Sequence, residues 1–122
     1  VLAAISSAPL LLGKAGLLEG KRFTHGVFEE FLDAFPVVPR EGVVRTFLVE
    51  DGNLITAYGG AFREFAAAVG HKVGIDCSDT VFSDMSGENY TEEDFIFHLP
   101  PEIMEEARGA WDNWLEEAGL RG

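Results

Sequence analysis

Nine residues at the start of the chain, VLAAISSAP, restrict its fold more than any other stretch. Residues 1–5 form an apolar, partly β-branched run that reads as a buried strand. The run stops at two serines. Pro9 and three leucines then open a helix at once, proline being tolerated in the first helical turn. A strand that turns so abruptly into a helix lifts the residue at the bend into solvent, in front of the helix's unpaired N–H groups. That is the geometry of a nucleophile elbow, and it puts Ser6 at the crest. The residues leave three roles open for Ser6: a working nucleophile, a silent stand-in for cysteine, or a turn residue. A buried parallel strand also needs neighbours on both sides. Residues 1–122 are therefore expected to be a piece of a longer protein, or one chain of a cleaved or split one.

Alternating strand and helix patterns continue from there. Residues 8–18 read as the elbow helix, with Gly16 and Gly20 marking its end. Residues 21–25 read as a short strand, and 27–35 as a helix with Val27, Phe28, Phe31, Leu32 and Phe35 facing inward. Two strands, 43–50 and 54–58, flank the hairpin signal Asp51-Gly52-Asn53. Gly59-Gly60 bends into a helix over 61–69, with Phe62, Phe65, Ala66 and Val69 on one face. Beyond Gly70 the pattern predicts a strand over 73–82, an acidic surface loop over 83–94, a short strand over 95–99 and a closing helix over 102–118. That last helix would bury Ile103, Ala107, Ala110, Trp111, Trp114 and Ala118. Such alternation implies an α/β architecture with a largely parallel sheet and one local hairpin.

Bulk properties exclude several functions. The chain carries 21 acidic and 9 basic residues, a net charge of −12, which disfavours nucleic acid and anionic membrane surfaces as partners. The 47% hydrophobic content is that of a globular domain. One cysteine, Cys77, rules out an internal disulfide and suits a reducing, cytoplasmic setting; it reads as a small buried apolar residue. No apolar run has the length of a membrane span. His25, His71 and His98 show no ligand spacing, and the acidic tract lacks calcium-loop spacing, so neither a metal nor another cofactor is expected.

Two longer stretches carry a resemblance. AAISSAPLLLGKAGLLEGKRFTH is similar to the central segment of the ThiJ/PfpI family, within the class I glutamine amidotransferase-like superfamily. Members typically read A-I-C-x-G-P, then an apolar helix, then A-G-L-L-x-G-K. The matching positions here are Ala4, Ile5, Ser6, Ser7, Ala8 and Pro9, then residues 15–21. VEDGNLITAYGGAFREFA, residues 49–66, resembles the family's V-x-D-G-N-L-I-T-S-x-G-P-x-x-x-x-E-F-A. The resemblance covers residues 1–72. It implies a flavodoxin-like three-layer sandwich of which this chain is the C-terminal part. Residues 73–122 would then form an extension packed on the same domain.

By that resemblance Ser6 occupies the nucleophilic cysteine's position, His25 is the histidine on the strand after the elbow helix, and Ser7, Ala8, Tyr58 and Gly59 line the pocket. Serine at position 6 lacks the low-pKa thiolate that the family's chemistry uses, and it needs a base. Three readings follow. One is a small-molecule or peptide hydrolase, with Ser6 attacking a carbonyl, His25 as base and the Ser7 and Ala8 N–H groups as oxyanion donors. Another is a non-catalytic relative acting in ligand sensing, stress response or assembly. The last is a structural chain of a homodimer, or of a pair whose partner supplies a missing N-terminal half.

Overall fold

The computed structural model describes residues 1–34, 36–76 and 90–119. The elements run β1 (Leu2–Ile5), α1 (Pro9–Lys14), α2 (Glu29–Ala34), β2 (Leu48–Asp51), β3 (Leu54–Ala57), α3 (Phe62–Lys72) and α4 (Pro101–Glu117), with 3₁₀ turns at Arg40–Gly42, Gly59–Ala61 and Glu92–Phe95. This is a mixed α/β fold around a three-stranded sheet of order β1-β3-β2. β1 runs parallel to β3, with Leu2 opposite Leu54 and Ile5 opposite Ala57. β2 and β3 form the antiparallel hairpin that Asp51-Gly52-Asn53 predicts, with Asp51 opposite Leu54. The sheet is thus less parallel than expected. Among the described residues further parallel pairing is limited to single bridges, Phe23 with Val43 and Phe28 with Phe97.

β3 is the central strand and all four of its residues are buried. Successive side chains alternate between faces, so both faces of β3 are covered. Leu54 joins Leu18, Phe23, Val27, Leu32 and Val38 in one cluster, with Leu10, Leu12 and Phe31 packed against it. Helix α3 packs against β3 and β1.

The helices end where backbone geometry dictates. Helix α1 stops four residues earlier than expected. Gly16, at φ +74°, closes it, with the Gly16 N–H on Gly13 O at 3.0 Å and the Leu17 N–H on Leu12 O at 2.9 Å. The same pair of bonds ends α3, from the Gly74 N–H to His71 O at 3.1 Å and from the Ile75 N–H to Gly70 O at 2.8 Å. Residues 73–76 are therefore the helix's terminal turn and not the start of a strand. Gly70 is a buried helical residue. The rest of the expected 73–82 strand, with Cys77, and most of the 83–94 loop lie outside the described residues.

Two expected faces are covered only in part, at Phe65 and Val69 on α3 and at Ala107 and Trp111 on α4. Phe62 on α3 is 54% exposed, with the Arg63 guanidinium 4.9 Å above its ring, and Ala66 is exposed as well. On α4 the buried residue is Leu115, whereas Ile103 and Trp114 are 44% and 49% exposed and Ala110 faces outward. Trp111 is the tryptophan turned inward, stacked on Phe31 of α2 at 5.2 Å.

Candidate active site

Ser6 follows β1 directly. Its N–H donates to Ala57 O at 2.9 Å, and its carbonyl accepts the Gly26 N–H at 2.8 Å. Between those two bonds its φ is +62°, the one left-handed non-glycine residue among the described residues. A side chain in that region costs on the order of 1–3 kcal/mol and persists only where the surroundings enforce it. Here β3 on one side and Gly26 on the other enforce it. The bend closes when the Ala8 N–H donates to Ile5 O at 3.1 Å, and α1 starts with Leu10 and Leu11 donating to Ser7 O and Ala8 O.

Two glycines make room for the bend. A Cβ on Gly59 would lie 3.3 Å from Ser6 Oγ, and one on Gly26 would lie 3.3 Å from Ser6 Cα and 3.5 Å from Oγ. Ser6 Oγ is thus held in a notch between two backbones, and its residue is half-buried. Gly59 stands among the expected pocket residues. Gly26 was missed, although it follows His25 directly in Phe23-Thr24-His25-Gly26.

His25 sits on the extended segment that runs beside residues 42–46. The Phe23 N–H donates to Gly42 O at 3.0 Å, the Val44 N–H to Phe23 O at 2.8 Å, and the Thr24 hydroxyl to Thr46 O at 2.8 Å. That register sets His25 alongside Arg45. The imidazole is 2% exposed, and its Nδ1 accepts the Val27 N–H at 3.0 Å. With Nδ1 as acceptor, the neutral ring carries its proton on Nε2. Burial, then the Arg45 charge, holds the ring down from the usual 6.5 to about 4, with Glu29 acting in the opposite sense and Arg40 adding to the lowering. Glu29 itself bridges Arg45 and Arg40 at 2.7 Å each.

The sequence reading expects His25 to act as base to Ser6. In this tautomer Nε2 is a donor and has no lone pair for a proton from Ser6. Nε2 is buried without a hydrogen-bond partner, and among the described residues no hydrogen bond joins Ser6 Oγ to His25. The adjacent segments bring the two residues together through Gly26, but not as a bonded nucleophile and base. Ala8 is expected beside Ser7 as an oxyanion donor. Its N–H is engaged by Ile5, whereas Ser7 is exposed and its N–H takes no part in the turn's bonds.

Tyr58 precedes Gly59 and leans back over Gly60, where an added Cβ would collide with the phenol. Its ring stacks on Phe97 at 6.0 Å and meets Phe95 edge-on at 5.2 Å. These two phenylalanines lie more than thirty residues along the chain from Tyr58, and nothing in their sequence pattern foretold their return to this position. The segment is tied down by the Glu29 N–H on Phe97 O at 2.9 Å, and by Glu30, which takes the Leu99 N–H at 3.3 Å and His98 Nδ1 at 3.1 Å. Among the described residues no group of His, Cys, Asp and Glu is arranged to hold a metal ion, and no helix is long and apolar enough to cross a membrane.

Comparison with known proteins finds a partial similarity to a curated protein. The chain is 36% identical over 80 residues to an isonitrile hydratase of Pseudomonas putida. The match takes in 63% of this chain and 33% of that protein, so the chain spans about a third of the length of the curated relative it matches. No protein-family model matches the chain. No solved structure matches it.

Proposed function

We propose that the chain carries the elbow of a ThiJ/PfpI-like, hydrolase-type site in which Ser6 Oγ adds to an electrophilic carbon of a small molecule. The observation that carries this reading is the strained, enforced φ of Ser6 at a strand-to-helix bend. Strain of that kind is retained where it presents a side chain in one orientation. The 36% identity to an isonitrile hydratase supports the scaffold, and extends the candidate substrates from esters and amides to isonitriles. In this reading Oγ bonds to the carbonyl carbon of an ester or amide with the Ser7 N–H facing the developing oxyanion, the hydroxyl proton passes through water to the departing alkoxide or amine as its bond to carbon breaks, and water then hydrolyses the acyl-serine; with an isonitrile the O–H adds to the terminal carbon, water adds to the resulting formimidate carbon, and the formamide leaves as serine is restored. Tyr58 and Gly59 form the wall beside Oγ. His25 contributes a neutral Nε2–H donor and not a base.

A second reading rests on a specific observation: among the described residues no base touches Ser6 Oγ. It makes the chain a non-catalytic relative that retains the notch for binding or assembly. β1 pairs on one side only among the described residues, and Leu2 and Ala3 are exposed. A further strand along that edge, from a second copy or from a chain carrying the N-terminal half, belongs to either reading.

Turnover of p-nitrophenyl acetate and of an alkyl isonitrile to its N-substituted formamide, by the wild type, Ser6→Ala and Ser6→Cys, separates the readings. The hydrolase reading expects the alanine variant to fall to background and the cysteine variant to meet or exceed the wild type. Equal background rates for all three would leave the non-catalytic reading.

A further inference from the structure

Tyr58 leaves β3 beside the Ser6 notch, and residues remote in sequence hold its ring. Its N–H donates to Phe47 O at 3.2 Å, and the next residue is Gly59, which abuts Ser6 Oγ. The phenol turns over Gly60 and reaches Phe97, whose ring lies nearly parallel to it at 6.0 Å. Phe97 forms a parallel bridge with Phe28, and its carbonyl accepts the Glu29 N–H at 2.9 Å. Phe28 stands two residues beyond Gly26, the other glycine of the notch. A Cβ on Gly26 would lie 3.4 Å from Gly59 N, so the two glycines also adjoin. These contacts close into a ring that runs from Gly59 through Tyr58, Phe97, Phe28 and Gly26 back to Gly59, with Ser6 against both glycines.

The ring of contacts fixes a side chain that its own turn leaves adjustable. Tyr58 is half-buried at the end of a strand, where more than one staggered rotamer is open to an aromatic residue. The stack on Phe97 and the edge contact with Phe95 at 5.2 Å select one of them, since both geometries are attractive beyond the area they bury. Phe95 belongs to the core. It is 3% exposed, packs on Tyr90 at 5.6 Å, and its carbonyl accepts Arg45 at 3.5 Å. Phe97 is only half-buried, so its ring can be changed with little disturbance to the core.

We propose that Phe97 is a positioning residue for the Ser6 notch, on the reading above that Ser6 Oγ meets the substrate. Its ring holds the Tyr58 phenol in place as a wall, and the notch therefore admits compact groups, of the size of an acetyl ester or a methyl isonitrile, and turns larger ones away.

Access to position 6 is measured in Ser6→Cys, whose thiol is nucleophilic whether or not Ser6 catalyses. Iodoacetamide and N-benzyl-iodoacetamide carry the same electrophile on bodies of different size. Their alkylation rates at position 6 are followed by peptide mass spectrometry, which separates that site from Cys77, and are divided by the rates with free cysteine. Iodoacetamide should be favoured by ~10-fold or more, the scale on which a tight pocket rejects excess bulk. Adding Phe97→Ala, or Phe97→Leu if the alanine variant fails to fold, should bring the ratio to within ~2-fold of that for free cysteine. Phe97→Tyr keeps the flat ring and should keep the preference. A merely structural role would change both rates together and leave the ratio alone. A thiol that shows no size preference, a preference that survives loss of the Phe97 ring, or a folded variant that neither reagent alkylates at position 6 would overturn the proposal. Size-selective alkylation beside a wild type without ester or isonitrile turnover would support the wall and remove the hydrolase reading.

Discussion

The buried imidazole of His25 makes the chain's stability depend on pH in a way that can be worked out in advance. An unfolded chain returns His25 to its ordinary value of 6.5, whereas in the fold the ring titrates at about 4. Above pH 6.5 the ring is neutral in both states and contributes nothing. Below 6.5 the unfolded chain takes up a proton that the folded one refuses, so stability falls as pH drops from 6.5 towards 4 and levels off beneath it. At 1.36 kcal/mol per pKa unit the full difference is roughly 3 kcal/mol, and roughly 2 kcal/mol is already lost at pH 5. At 2% exposure solvent screens little of this. His25→Asn places an amide oxygen near the position of Nδ1, keeps an acceptor for the Val27 N–H and removes the titrating group. Urea denaturation at pH 7 and pH 5, with slopes compared to exclude a changed unfolded state, gives the stability loss for both proteins. The wild type should lose about 2 kcal/mol more than the variant between the two pH values. An equal loss in the two proteins would refute the assignment of a buried, neutral His25.

Three further outcomes follow from the same geometry. Ser6→Gly removes the side chain that makes φ +62° costly; it should raise stability by about 1 kcal/mol in urea denaturation while abolishing any turnover that depends on Oγ. Gly42→Ala drives a methyl into the Lys21 carbonyl and to 3.0 Å from the Phe23 ring, both inflexible neighbours; thermal melts should show it destabilised by ~1–3 kcal/mol or more. Phe23, fully buried in the main cluster, should cost ~3–5 kcal/mol on truncation to alanine, measured by the same melts.

What could be read from the sequence was local. The strand-to-helix bend at Ser6 followed from an apolar run meeting Ser6, Ser7 and Pro9, because few backbone paths join a strand to a helix in so short a space. Asp51-Gly52-Asn53 announced its hairpin, and Pro100-Pro101 announced the start of α4, where Pro101 fills the first helical position. Periodicity failed where a neighbour decides which face is covered. The expected stripe on α4 is covered at Ala107 and Trp111, where α2 offers Phe31, but Leu115 turns inward while Ile103 and Trp114 stay exposed. Phe62 had the spacing of a core residue and lies outside because α3 begins one 3₁₀ turn after Gly59. At the site, the sequence supplied Ser6, His25 and Gly59 but neither the Nδ1 bond that fixes the histidine's tautomer nor the Ile5 contact that occupies the Ala8 N–H. Both are hydrogen bonds set by exact backbone path, which residue types alone do not encode. The return of Phe95 and Phe97 to Tyr58 is a long-range contact with no local signature at all.

In the proposed site the bend holds Ser6 Oγ as an addressable nucleophile. Incubation with a small sulfonyl fluoride, followed by proteolysis and fragment mass spectrometry of the peptide VLAAISSAPLLLGK, tests it directly. One covalent adduct is expected, on Ser6 and not on the neighbouring Ser7, and it should disappear in Ser6→Ala. A chain that stays unmodified, or one labelled equally at both serines, would contradict it.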